Sequence, residues 1–194
     1  VQLGFHANGV DESNIHQPYK VQSKGIGNSQ ILPCDYIHQE DVEVVLSEMA
    51  EQVAIRLRRV KKKAKSVHIH ISYSKIESKK SINASKKINP TQSTKQLTDH
   101  VLSLFRSKYD GGAVRSIAVR YDNLIDDNLT IYTLFDDIEA IEKQRKIDKT
   151  LDTIRDKYGF LSVQNGSMLM EGSRVKERSK LVGGHAGGMD GIIW

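Results

Sequence analysis

Between Arg56 and Lys65 the chain carries seven cations, Arg56, Arg58, Arg59, Lys61, Lys62, Lys63 and Lys65, with no acid among them. A concentrated run of this kind suits a polyanion better than a mild overall charge does. The plainer reading is a solvated helix end, where cations complement the helix dipole. Directly after the run, Val67 to Tyr73 alternates strictly, which sets His68, His70 and Ser72 on one face of a strand. Asn83, Ser85 and Lys87 alternate in the same way further on, and Lys79, Lys80 and Lys86 lie close by in sequence. Upstream, the stretch Lys24-Gly25-Ile26-Gly27-Asn28-Ser29-Gln30 adds Lys24, Ser29 and Gln30, with glycines that let a backbone lie close to a phosphate chain. These are donors and cations without a Phe, Tyr or Trp among them. Phosphate contacts need donors and charge, whereas stacking on bases needs aromatics, so the set suits a duplex backbone and implies no sequence specificity. Arg58 and Lys62 extend this field near one sheet edge, and binding through such groups weakens steeply with salt.

Other chemistries find less support. His68 and His70 share a strand face as two metal ligands could, but no third or fourth ligand stands near in sequence, so no metal site is expected. The acid pairs Asp126/Asp127 and Asp136/Asp137 lack an accompanying base or strand scaffold and read as solvated turns. Gly25-x-Gly27 lacks the third glycine and the following helix of a nucleotide fingerprint. No catalytic residue is expected.

The elements that must position these groups follow from periodicity. A strand is predicted over residues 24–33. Val42, Leu46, Met49, Val53, Leu57 and Val60 then recur at three and four residues, predicting a helix over about 39–62 with Glu40, Asp41 and Glu43 in its first turn and the cations in its last. The strand at 67–73 and a looser one over 82–88 form a hairpin. Ser93-x-x-Gln96 is a capping-box pattern ahead of Leu97, Val101, Leu104, Phe105 and Tyr109, and Asp110-Gly111-Gly112 stops that helix. Ile117, Val119 and Tyr121 alternate with Ser116, Ala118 and Arg120 in a last strand. The order βαββαβ predicts an α+β fold, a four-stranded sheet with two helices on one face and the other face free.

Residues 1–22 read as a connector, 23–124 as the domain, and 125–194 as a tail. The tail holds the peptide Ile131-Tyr132-Thr133-Leu134-Phe135, a helix over about 137–158 and a glycine-rich, loosely ordered end. Two large apolar residues flanked by acids can plug a hydrophobic pocket on a partner; the alternative is that Leu134 and Phe135 pack back on their own domain. The chain opens on Val1 within running sequence, which predicts an excised piece of a longer protein.

Composition bounds the class. Net charge is +5, 38% of residues are hydrophobic and 27% charged, a balance that fits a domain with appendages. Cys34 is the only cysteine, which excludes an intrachain disulfide and points to a reducing, cytoplasmic setting. No stretch approaches the roughly 20 apolar residues of a membrane span.

The run Lys24 to Ser29, the βαββαβ order and Ile88-Asn89-Pro90-Thr91 ahead of the second helix resemble, over residues 23–124, the little-finger (C-terminal) domain of Y-family translesion DNA polymerases in the UmuC-like (ImpB/MucB/SamB) branch. Ile147 to Gly159, and Glu171-Gly172-Ser173-Arg174 through Gly183-Gly184-His185, are similar to the tail of Gram-positive and phage-type members. The resemblance implies a domain lying across the major groove of duplex primer–template DNA, followed by a QL(S/D)LF-type peptide that engages the sliding clamp. That peptide would be Ile131, Tyr132, Leu134 and Phe135, with Ile131 in place of glutamine and Tyr132 in place of leucine, so a weaker clamp contact is implied. It also implies a recombinase filament or accessory subunit as a further partner, a role in DNA repair near the nucleoid, and Mg only in an upstream palm that carries the catalytic carboxylates. This chain would then bind DNA without extending a primer.

Two rival readings stand beside this one. An RRM-like RNA-binding module would display Phe or Tyr on its central strands, where this chain places His and Ser. A purely structural interaction domain would use the cations for solubility alone.

Overall fold

The computed structural model describes Phe5 and residues 7–10, 25–128 and 137–180. Lys24 and the peptide Ile131, Tyr132, Leu134 and Phe135 lie outside the described residues. The elements run β1 (Gly25–Tyr36), α1 (Gln39–Arg59), β2 (Lys62–Tyr73), β3 (Ile82–Thr91), α2 (Thr94–Arg106), β4 (Val114–Asp122), β5 (Ile125–Asp126) and α3 (Ile138–Tyr158). Two 3₁₀ turns, Phe160–Ser162 and Gly166–Leu169, and the short α4 (Val175–Ser179) follow.

The sheet is antiparallel in the order β1-β4-β2-β3, so β4 and β2 are central, and the two-residue β5 pairs with the start of β2. The α+β class and the βαββαβ order match the reading of the sequence. Val67, Ile69 and Ile71 of β2 stand opposite Tyr121, Val119 and Ile117 of β4. Directly paired residues share a face in an antiparallel ladder, so these six form one apolar surface. The α1 stripe Val42, Leu46, Met49, Val53 and Leu57 covers it together with Leu97, Val101 and Phe105 of α2, all fully buried. Burying a side chain of this kind contributes about 1.5–3 kcal/mol, which fixes both helices to that face.

Three local details depart from the sequence reading. α1 stops at Arg59, not near residue 62: Lys61 takes a φ of 53° and its N–H closes on the Arg58 carbonyl at 2.9 Å, so Lys62 and Lys63 already belong to β2. The capping box at α2 is half formed. Ser93 Oγ accepts from the Gln96 N–H, but Gln96 Oε1 accepts from Thr91 Oγ1 at 2.5 Å and does not reach back to Ser93.

The third difference is the tail. Residues 137–180 are no loose appendage; α3 and the turns after it pack on the outer side of α1. Arg155 of α3 reaches Glu51 of α1 at 2.9 Å, Arg174 N–H donates to Glu48, and Tyr36 Oη donates to the Gly172 carbonyl at 3.2 Å. The buried acids Glu48 and Glu51 on the far side of α1 thereby find their partners in the tail. Among the described residues no helix is long and apolar enough to cross a membrane.

Candidate nucleic-acid interface

Strand register decides what the uncovered sheet face carries. Ser29 stands opposite Ala118, Gly27 opposite Arg120 and Ile31 opposite Ser116. Those β4 residues face His70, His68 and Ser72 of β2 in turn, and His68 and His70 stand opposite Ser85 and Asn83 of β3. Ser66 completes the row between Asp122 and Lys87. The helices lie on the opposite side of the sheet, and Ser29, Asn83, Ser85, Lys87 and Arg120 are exposed. The floor is therefore shallow and small-chained, with imidazoles, hydroxyls and cations standing on it. His70 Nε2 lies 2.9 Å from Ser72 Oγ, and His68 Nε2 contacts Asn83 Oδ1. These contacts leave the second nitrogen of each ring for another partner.

Of the residues read from sequence, Ser29, His68, His70, Ser72, Asn83, Ser85 and Lys87 share this face, and Lys80 is exposed in the β2–β3 loop. Others do not join them. Gln30 stands opposite Ile117, on the helix-covered side, and accepts from Arg178 Nε at 2.8 Å. Lys86 stands opposite Val67, also on the helix side. There it adds to burial in lowering the His100 pKa. Lys79 is held by Asp110 at 2.9 Å and the Gly111 carbonyl at 2.8 Å, over the Tyr73 ring.

The run Arg56 to Lys65 is corrected most. Arg58 makes a two-pronged contact with Asp152 (2.6 and 2.8 Å), donates to Thr94 Oγ1 and the Gln92 carbonyl, and is 12% exposed. Arg59 pairs with Asp156, Lys62 with Asp126 and Lys63 with Asp127, while Arg56 donates to the Gly27 carbonyl at 2.9 Å. The helix ends at Arg59, so the seven cations do not form one surface, and the acids of the tail neutralise much of their charge. Asp126 and Asp127, read as solvated turns, are those counter-ions; Asp127 also lies 3.5 Å from Arg145.

Arg120 and Asp122 were not among the candidates. Arg120 Nε donates to Asp122 Oδ1 at 2.6 Å in the middle of the open face. The signal was present in the alternation of Ser116, Ala118 and Arg120, but sharing a face with His68 needs the β4–β2 register. Among the described residues no group of three or more His, Cys, Asp or Glu is placed to hold a metal ion.

The fold is thus that of a small α+β module whose sheet is covered on one side and presents donors and cations on the other. Residues 23–134 match the model of the impB/mucB/samB family C-terminal domain, and the chain belongs to that family, the one to which UmuC-like Y-family little fingers belong. A Bacillus subtilis (strain 168) protein named "Putative UV-damage repair protein UvrX" is 36% identical over 185 residues, 95% of this chain and 44% of that protein. DNA polymerase IV 2 of Halalkalibacterium halodurans is 30% identical over 184 residues, 94% of this chain and 44% of its own length. The chain therefore spans under half the length of these curated relatives. A solved complex of the beta-clamp processivity factor and the little finger domain of PolIV is similar with a TM-score of 0.43 and 13% identity, covering 57% of this chain and 97% of that one.

Proposed function

We propose that this chain is a non-catalytic DNA-binding part of a translesion DNA polymerase, and that it grips the backbone of primer–template duplex on its open sheet face. The observation that carries this reading is the face itself: Ser29, His68, His70, Ser72, Asn83, Ser85, Lys87 and Arg120 stand together, uncovered by any described element, with no Phe, Tyr or Trp among them to stack on unpaired bases. The names of the relatives, polymerase and UV-damage repair, support the same setting. Ile131 to Phe135 then serves as a tether to the sliding clamp, a reading supported by the match of Leu134 and Phe135 to the family's clamp peptide.

Fluorescence anisotropy of labelled primer–template DNA at two salt concentrations tests the first part. Binding should weaken with salt, and Lys87→Glu should weaken it further. Binding that ignores salt, or a preference for unpaired RNA, would overturn the reading. For the tether, pull-down on the sliding clamp should be lost in a Leu134→Ala/Phe135→Ala double variant; retention would sink that part alone.

A further inference from the structure

A glycine inside a strand costs about 0.5–1 kcal/mol relative to alanine, so Gly27, with Gly25 at the start of the same strand, needs a reason. The structure supplies one that does not involve a ligand. A Cβ built on Gly27 would lie 2.9 Å from Arg120 Cβ and 3.1 Å from its Cγ. One built on Gly25 would lie 2.8 Å from Arg120 Nε and 1.9 Å from Asp122 Oδ1. The arginine stem therefore runs across bare backbone, over Gly27 and then Gly25, and Asp122 catches its Nε at 2.6 Å.

Arg120 remains 51% exposed in its side chain. Among the described residues its two terminal nitrogens have no partner, and His68 stands opposite it on β2. A flexible arginine loses side-chain entropy whenever it grips an anion. Here much of that freedom is already removed, and the paired Nη groups form the fork that matches a phosphate.

We propose that Gly25 and Gly27 are a seat for Arg120, which holds its guanidinium ready for one DNA phosphate at the middle of the open face. The inference rests on the duplex-binding reading above and adds to it a named contact and the reason for the glycine pair. Any alanine at position 27 keeps the charge but displaces the side chain.

The test is anisotropy with the same primer–template duplex over a salt series, using Arg120→Gln, Gly27→Ala, the double variant and Lys87→Glu, with circular dichroism to verify folding. Arg120→Gln should weaken binding about tenfold, as expected for a lost charge-assisted contact. It should also reduce the slope of log affinity against log salt by about 0.9, the signature of one phosphate. Gly27→Ala should weaken binding several-fold, and the double variant should be no weaker than Arg120→Gln, because seat and side chain act as a unit. Additive effects would overturn the seat. If Arg120→Gln leaves affinity and slope unchanged while Lys87→Glu weakens binding, the inference fails and the duplex reading stands. If neither matters, both fail. Should Gly27→Ala not fold, Arg120→Gln alone decides.

Discussion

Arg155 of α3 donates to Glu51 of α1 at 2.9 Å across 104 residues of sequence, with the two side chains only 3% and 9% exposed. The same guanidinium donates to the Val163 carbonyl and lies over the Phe160 ring, and Asn165 supplies Glu51 with a second donor at 3.2 Å. This pair pins the tail to the domain. Arg155→Met should cost about 3–5 kcal/mol, because it strands a buried carboxylate. The double variant Glu51→Leu/Arg155→Met should recover most of that loss, since an apolar pair of similar size avoids the desolvation penalty. Urea unfolding of both variants checks this; equal losses would mean that packing, and not the stranded charge, sets the cost.

Arg58 separates a structural role from a DNA-contacting one. Its partners are Asp152, Asp148 at 3.8 Å, Thr94 and Gln92, all on its own chain. Arg58→Gln should destabilise the fold by on the order of 3 kcal/mol, leaving two acids facing each other without their counter-ion. The salt slope of DNA binding should stay unchanged. A reduced slope would show that Arg58 reaches phosphate after all.

Acid should weaken the contact between α1 and α2 through Glu43. Arg106 holds the Glu43 carboxyl below its ordinary value of 4.5 by a hydrogen bond; partial burial opposes this, and Gln39 adds to it. A carboxyl depressed in the folded state stabilises above its unfolded value, and that stability is lost as pH falls through the folded value. The melting temperature should therefore drop as pH goes from neutral to below 4.5, and Glu43→Gln should make that drop shallower. Identical pH profiles for the two proteins would remove this pair from the account.

Gly172 of the tail packs tightly against the first turn of α1. A Cβ there would lie 2.5 Å from Asp41 Oδ1 and 2.8 Å from Asp41 Cα, and backbone cannot swing aside as a side-chain tip can. Gly172→Ala should cost about 1–3 kcal/mol, the usual range for overpacking. It should also loosen Tyr36, whose phenol is held above 10.0 by burial, with Arg174 opposing. Ultraviolet titration should then show one tyrosine moving back toward 10.0. An unshifted titration curve would place the strain elsewhere.

What the amino-acid sequence determined by itself is whatever local periodicity carries. The apolar stripe of α1, the alternation of β2 and β4 and the capping serine of α2 act within a few residues, so order and class were legible, and the helix expected over about 137–158 stands at Ile138–Tyr158. Alternation also made the polar row His68, His70, Ser72 visible, and with it most of the open face. Tertiary structure alone decided which cations remain available. Arg58 meets Asp152 across 94 residues and Arg59 meets Asp156 across 97, so a run that reads as one basic patch is divided among distant acids. It also decided the place of Gln30 and Lys86, and brought Arg120 over Gly25 and Gly27, because a strand's parity names two faces but only packing and register choose which one is covered.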